Sequence, residues 1–208
     1  MSKLSKIDYH ETQSFYDERC IEHGDSIVSV GWRDKASQSL RFEQLLKGID
    51  VNNKVILDIG CGLGDLVYFL EEKAIKNYRY IGLDISRELL NQAEKRFSDR
   101  SDISFFHGDL FEFIETNNIE IDIAISSGML SYKTGSNQVY AKNVLEMTFS
   151  LIREAMSFNF LTDKADYTLE KNFHYDCIEV LNWVKPLSHN FTLDHCYPLW
   201  EFTVQVHK

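Results

Sequence analysis

Apolar residues recur along the chain at two spacings, one typical of helices and the other of buried strands. In the first quarter, a helical i, i+3, i+4, i+7 spacing relates Phe42, Leu45, Leu46 and Ile49. One buried helix face explains this spacing, so residues 10–50 are predicted to be mainly helical. Residues 54–59 are then a short apolar run closed by glycines, which favours a buried strand.

Strand and helix patterns alternate through the middle of the chain. Further strands are predicted at residues 78–83, 103–106 and 121–126. Three helical stripes are predicted from Leu66, Val67, Phe69 and Leu70, from Leu89, Leu90, Ala93 and Phe97, and from Val144, Thr148, Leu151, Ile152 and Ala155. This βαβ alternation indicates an α/β fold with a mostly parallel sheet covered on both faces.

The end of the chain departs from this alternation. Residues 191–196 and 199–207 are two strand-like runs separated by a short turn, which predicts an antiparallel hairpin. We therefore divide the chain into an N-terminal helical cap or lid, residues 1–50, and an α/β domain, residues 51–208.

Composition and charge exclude several classes of function. The 208 residues are 44% hydrophobic and 26% charged, which is typical of an ordered globular protein. The formal net charge of −10 would repel a polyphosphate backbone, so nucleic acid is not expected as a partner. No apolar run approaches the roughly 20 residues of a membrane span, and the start lacks a signal-peptide core, so we expect no membrane partner and a cytoplasmic location. The four cysteines are scattered without metal-ligand spacing, which predicts reduced thiols and no metal site.

Three glycines, Gly60, Gly62 and Gly64, stand between the first predicted strand and the next helix, in VILDIGCGLGD. Such a turn lets the backbone approach a ligand closely, although it can also be only a tight connection. The dinucleotide motif GxGxxG would require its third glycine at Asp65. A carboxylate at that helix start would compete with pyrophosphate for the N–H groups, so the turn favours a ligand without phosphate.

Two acidic residues follow later strands at the same predicted edge of the sheet, where ligands of α/β proteins collect. Asp84, in YIGLDIS, can accept hydrogen bonds from ribose hydroxyls; alternatively, Asp84 or Ser86 caps the next helix. Asp109, in HGDLFEF, could accept from an exocyclic amine while Leu110 and Phe111 offer apolar surface. The alternative for Asp109 is a solvated turn residue.

The order of these motifs resembles the class I, Rossmann-like S-adenosylmethionine-dependent methyltransferases, whose signature VLDxGCGxG is met by LDIGCGLG. The resemblance covers about residues 50–160. It implies a three-layer sandwich that binds S-adenosylmethionine and releases S-adenosylhomocysteine. By similarity, the cofactor's methionine moiety would contact Asp58, Gly60, Cys61 and Gly62 in the turn completed by Gly64, its ribose Asp84 and Ile85, and its adenine Asp109 and Leu110. In the family the fourth strand ends beside the sulfonium, where this chain has Ser126 and Ser127.

The acceptor is expected to be a small molecule that is methylated on oxygen or nitrogen. Residues 121–130 lack the [DNS]PP[YF] motif of amino-methylating nucleic-acid enzymes, and neither proline precedes a cysteine. An alcohol or ammonium acceptor would need a base within hydrogen-bond reach. The candidate catalytic residues are His174, preferred to His107 and His195, and Tyr132. A lone histidine is also explained as a structural hydrogen-bonding group.

Aromatic residues and the N-terminal segment supply the remaining candidates. Tyr16 and Tyr175 are predicted to bind the acceptor, in an aromatic enclosure that would also include Tyr9, Trp32, Phe158 and Phe160. Trp32, Arg33 and Arg41 directly precede the α/β domain and are predicted to fold over its ligand site.

Arg41 could pair bidentately with the cofactor's carboxylate, or lie on a helix surface.

Two other functions stay open: a non-catalytic methyltransferase-like binding protein, and a nicotinamide-dependent oxidoreductase, which Asp65 disfavours.

Overall fold

The computed structural model describes residues 4–208, and its seven strands join into one sheet. The strands are β1 Val55–Ile59, β2 Arg79–Asp84, β3 Ile103–His107, β4 Ile121–Ser126, β5 Ile152–Leu161, β6 Phe191–Asp194 and β7 Glu201–His207. Their order is β3-β2-β1-β4-β5-β7-β6. The first five strands are parallel to one another, and β7 is antiparallel to β5 and β6. The mostly parallel sheet and the C-terminal hairpin are thus confirmed.

Helices cover both faces of this sheet. They are α1 Lys6–His23, α2 Lys35–Leu46, α3 Asp65–Glu72, α4 Arg87–Arg96, α5 Leu110–Thr116, α6 Asn137–Leu151 and α7 Cys177–Val184, with a 3₁₀ turn at Met129–Ser131. Successive side chains of a strand point to opposite faces, and in β1 Ile56 and Leu57 are both fully buried, in two separate core clusters. The central strands are therefore enclosed on both sides, as the predicted three-layer sandwich requires.

The last predicted helical stripe is wrong at its end. Helix α6 carries the buried residues Val144 and Thr148 but stops at Leu151, and Ile152 and Ala155 belong to β5. There they pair with Ile121 and Ile123 of β4, respectively. The spacing across the junction imitates a helical repeat, but pairing with a buried neighbouring strand overrides the local pattern.

Strand β1 lies between β2 and β4, so the strand order reverses beside it. In parallel α/β sheets such a switch point opens a crevice at the carboxyl ends of the strands. In the N-terminal region α1 packs against α4, and α2 contacts α3, β5 and β7. The division into a cap and a domain remains a prediction. Within residues 4–208, none of the helices combines the length and apolar character that crossing a membrane requires.

Candidate functional site

A cavity of about 390 Å³ opens at the switch point, and its volume falls in the range typical of small-molecule sites. Its walls come from the glycine turn, from the ends of β2 and β3, from the segment after β4 and from the N-terminal region. The predicted site residues that line it are Tyr16, Trp32, Arg41, Asp58, Gly60, Cys61, Gly62, Asp84, Ile85, Asp109, Leu110 and Tyr132. One cavity thus gathers most of the residues chosen from the sequence.

The glycine turn folds back onto the end of β2. The N–H groups of Gly60 and Cys61 both donate to the carbonyl of Leu83, at 2.7 and 3.0 Å. Gly62 has a φ of 55°, in the left-handed region that favours glycine. A Cβ on Gly62 would lie 2.5 Å from Cγ1 of Val30. The N-terminal segment therefore rests directly on the turn.

Asp84 joins this turn to the end of β2. Its buried carboxylate accepts the N–H of Gly62 through Oδ2 and the N–H of Ser86 through Oδ1, each at 2.8 Å. The side chain of Ser86 caps α4 by accepting from Leu89, so the cap is Ser86 and not Asp84. Burial raises the pKa of Asp84 to about 6, which leaves the carboxylate ionised at neutral pH. Each carboxylate oxygen can accept more than one hydrogen bond, so ribose hydroxyls fit this group.

Asp58 is a second buried carboxylate beside the turn. It accepts the hydroxyl of Tyr80 at 2.7 Å, and burial raises its pKa to about 7. The carboxyl group of Asp58 is therefore partly protonated near neutral pH, since desolvation disfavours the charged form.

The two buried acids predict a stability that depends on pH. Because the native pKa values of Asp58 and Asp84 exceed the ordinary 3.8, the folded protein binds more protons than the unfolded chain between about pH 4 and 7. Their contribution to the free energy of unfolding is therefore greatest below this window and is lost as pH rises through it. In urea unfolding between pH 4.5 and 8, the free energy of unfolding should fall less with rising pH for Asp58→Asn than for the unmodified protein. The same dependence on pH in both proteins would contradict this.

Asp109 stands at the start of α5 as its cap rather than as a solvated turn residue. Its Oδ1 accepts the N–H of Glu112 at 2.8 Å, and Oε2 of Glu112 accepts the N–H of Asp109 at 3.0 Å. This reciprocal capping box orders the turn. Leu110, which follows, is buried and offers apolar surface to the cavity.

Arg41 lies inside the protein, so the helix-surface alternative is wrong. Its Nε lies 2.9 Å from both carboxylate oxygens of Glu201, and Nη2 also pairs with that carboxylate. The ring of Trp32 lies 4.0 Å from the guanidinium carbon. The bidentate partner of Arg41 is thus the carboxylate of Glu201, where the sequence had suggested the carboxylate of the cofactor. The Nη1 atom of Arg41 is buried and has no hydrogen-bond partner in residues 4–208.

Sequence reasoning missed Glu201 and Asn159, which extend this ion pair. Nδ2 of Asn159 donates to Glu201 at 2.7 Å, and its Oδ1 accepts the N–H of Gly128 at 2.7 Å. The network connects α2, β5 and β7 to the turn after β4, against which Trp32 packs at Gly128. The only signal in the sequence was a carboxylate and an amide within otherwise apolar strand runs.

Tyr175, His174 and Ser126 are placed away from the cavity lining. Tyr175 belongs to the core: its hydroxyl donates to Leu130, and its ring packs against aromatic neighbours. Phe158 and Phe160 of the predicted enclosure are also buried in the core.

His174 has its Nδ1 2.7 Å from the carbonyl of Thr162 and is not a lining residue. Its Nδ1 therefore makes a structural hydrogen bond, while its buried Nε2 has no hydrogen-bond partner in residues 4–208. The hydroxyl of Ser126 donates to Ile59 at 2.8 Å; the residue that reaches the cavity is Ser127, whose buried hydroxyl has no partner in residues 4–208. Gly64 caps α3 and packs near Phe97 rather than lining the cavity.

Comparisons with known proteins agree with this geometry. A family model described as a methyltransferase domain matches residues 56–154. The chain is 28% identical over 160 residues to a Mycobacterium tuberculosis protein provisionally named methyltransferase Rv1506c, an alignment that covers 74% of this chain and 92% of that protein. It is 32% identical over 105 residues to the ubiquinone/menaquinone biosynthesis C-methyltransferase of Campylobacter jejuni, covering 47% and 41% of the two chains.

Among solved structures, the fold is similar to that of magnesium protoporphyrin IX methyltransferase from Synechocystis PCC 6803 with bound S-adenosylmethionine. The TM-score is 0.68 over the whole of both chains, at 11% identity, so this likeness concerns the fold alone. The matched domain and the ordered motifs support a class I, Rossmann-like S-adenosylmethionine-dependent methyltransferase, and the shared fold agrees with it.

Proposed function

We propose that this protein binds S-adenosylmethionine in the cavity at the switch point and transfers its methyl group to a small molecule. The observation that carries the proposal is the position of Asp84, whose buried carboxylate ties the glycine turn to the end of β2 at the cavity wall. The matched methyltransferase domain supports the choice of cofactor, and the Synechocystis neighbour was crystallised with this molecule.

The residues of the cavity fit the parts of this cofactor. Asp84 offers acceptors to the ribose hydroxyls, and Asp109 with Leu110 offers an acceptor and an apolar surface to the adenine. The hydroxyl of Ser127, buried without a partner in residues 4–208, is a donor available to the methionine carboxylate. When bound, the cofactor supplies an electrophilic methyl group on its sulfonium.

The chain's own contribution to the reaction is to orient the reactants and exclude water. Holding the acceptor in line with the methyl group removes much of the entropic cost of a bimolecular step. Trp32 and Val30 close the N-terminal side of the cavity over the turn. Of the lining residues in the described chain, none is a histidine. An acceptor that ionises by itself, such as a carboxylic acid or an acidic phenol, would not need one.

The acceptor atom is proposed to be oxygen or nitrogen, and the acceptor a small molecule. The cavity volume and the net charge of −10 favour a compact ligand over nucleic acid. The Campylobacter relative is named as a C-methyltransferase, so nuclear magnetic resonance of the methylated product is needed to assign the bond that forms.

Binding of the cofactor tests the proposal without knowledge of the acceptor. Calorimetry should show saturable binding of S-adenosylhomocysteine, and methyl-tritiated S-adenosylmethionine should be retained by the protein. NADH should cause no energy transfer from tryptophan. The reverse pattern would replace the proposal by the oxidoreductase alternative. Cofactor binding without turnover across a broad acceptor panel would favour the non-catalytic alternative.

A further inference from the structure

Part of the cavity wall is aromatic and is formed by Phe15, Tyr16 and Tyr132. The ring centroid of Phe15 lies 5.1 Å from that of Tyr16 and 4.8 Å from that of Tyr132. All three residues line the cavity. In residues 4–208 neither tyrosine hydroxyl of this wall makes a hydrogen bond, and burial raises the pKa of Tyr16 to about 12, so that hydroxyl stays a donor. Such a wall suits a flat, apolar ligand with a polar substituent.

Two cations adjoin the aromatic wall. The Nζ of Lys171 and the guanidinium carbon of Arg19 each lie 5.5 Å from the ring centroid of Phe15. Neither forms an ion pair with a carboxylate of residues 4–208, although the chain has 32 acidic residues. Lys171 lines the cavity, and burial together with the charge of Arg19 lowers its pKa. An anion bound beside Phe15 would face two positive charges that no carboxylate of residues 4–208 pairs with.

The position of Lys171 is fixed relative to the wall by the backbone. Its carbonyl accepts the N–H of Lys133 at 2.9 Å, and Asn172 forms a β-bridge with Tyr132. These two links hold the backbone of Lys171 next to Tyr132 of the aromatic wall.

Polar side chains in this part of the cavity are already used within the protein. Thr12 donates to the carbonyl of Asp8, and Ser131 donates to that of Gly128. Asn137 accepts from the N–H of Thr134 and donates to the carbonyl of Tyr132. These three side chains are therefore less available to the many hydroxyls of a sugar, which disfavours a carbohydrate acceptor.

We propose that the acceptor is a planar aromatic or conjugated molecule with one anionic group, its ring against the aromatic wall and its anion beside Lys171. This inference rests on the proposed function, because it assigns the acceptor side of the same cavity. Lys171 lines the cavity, and its backbone is linked to that of Tyr132 and Lys133 in the segment that follows β4.

Three probes separate the ring from the charge: 2-naphthoate has both, 2-naphthamide has the ring alone, and glucuronate has a carboxylate on a polyhydroxylated ring. Calorimetry with the protein, free and saturated with S-adenosylhomocysteine, should show naphthoate binding about tenfold more tightly than naphthamide, as one charge-assisted contact implies. Glucuronate should bind most weakly. The proposal is overturned if naphthamide equals naphthoate, if glucuronate binds best, or if neither naphthalene binds.

Variants locate the two contacts. Lys171→Met should reduce naphthoate affinity to that of naphthamide, Lys171→Arg should preserve it, and the exposed control Lys185→Met should change neither. Tyr132→Leu should weaken both naphthalenes alike, whereas Tyr68→Leu, outside the cavity, should weaken neither. Thermal unfolding checks that each variant is folded. If S-adenosylhomocysteine binds but this pattern is absent, the acceptor assignment fails alone; if the pattern appears without S-adenosylhomocysteine binding, the proposed function fails alone.

Discussion

Replacing Asp84 by alanine is expected to weaken S-adenosylhomocysteine binding by about 3 kcal/mol or more, at least about a hundredfold in Kd. The substitution removes the acceptor proposed for the ribose hydroxyls. It also removes the partner of the Gly62 and Ser86 N–H groups, each now held at 2.8 Å. The ligand contact and the shape of the turn are lost together. Calorimetry on the purified variant measures the effect.

Two controls make this result specific. Asp99→Ala removes an exposed carboxylate of the same charge and should leave the affinity unchanged, whereas Asp84→Asn keeps an oxygen acceptor and should fall between the two. Because the pKa of Asp84 is about 6, the affinity of the unmodified protein should also decline as pH falls below that value, where the ionised acceptor is lost. Equal affinity of Asp84→Ala and Asp99→Ala would exclude Asp84 from the site.

Breaking the Arg41–Glu201 ion pair is expected to have the largest effect on stability. The side chains of Arg41 and Glu201 are only 10% and 3% exposed, so Glu201→Gln leaves a guanidinium charge buried without compensation. Such a change costs about 3–5 kcal/mol of unfolding free energy. The double variant Arg41→Met/Glu201→Gln removes that charge and should be more stable than Glu201→Gln alone.

Urea unfolding of the single and double variants measures this coupling. The matched control is the exposed pair Arg153–Glu120, 58% and 80% exposed, where Glu120→Gln should change stability little because solvent screens the charges. Two results would contradict the claim that the buried pair holds α2 to β7. One is a loss of unfolding free energy for Glu201→Gln as small as that for Glu120→Gln. The other is a double variant less stable than both Arg41→Met and Glu201→Gln.

Short-range patterns sufficed for the central half of the fold. The glycine turn, Asp84 and Asp109 each follow a strand directly, so parallel pairing alone brings them to one edge. Strand β5 was missed because its first residues, Ile152 and Ala155, continue the spacing of α6. Only pairing with β4 distinguishes the two structures, and a local pattern contains no information about that partner.

Contacts between distant segments account for the other errors. Arg41 and Glu201 are 160 positions apart, and no spacing rule links a helix to a strand across the whole chain. His174 was chosen for its chemistry, yet its environment is set by the carbonyl of Thr162. Of the two serines named from the sequence, Ser126 and Ser127, only Ser127 reaches the cavity, because side chains alternate at the end of β4.

A crystal structure with S-adenosylhomocysteine tests the central claim, that the edge from Asp58 to Asp109 holds the cofactor. We predict the ribose hydroxyls within hydrogen-bond distance, about 3.2 Å or less, of the Asp84 carboxylate. The adenine should lie against Leu110 and the methionine moiety beside Gly60 and Gly62. A ligand bound elsewhere, or a ribose whose hydroxyls do not contact Asp84, would contradict the account.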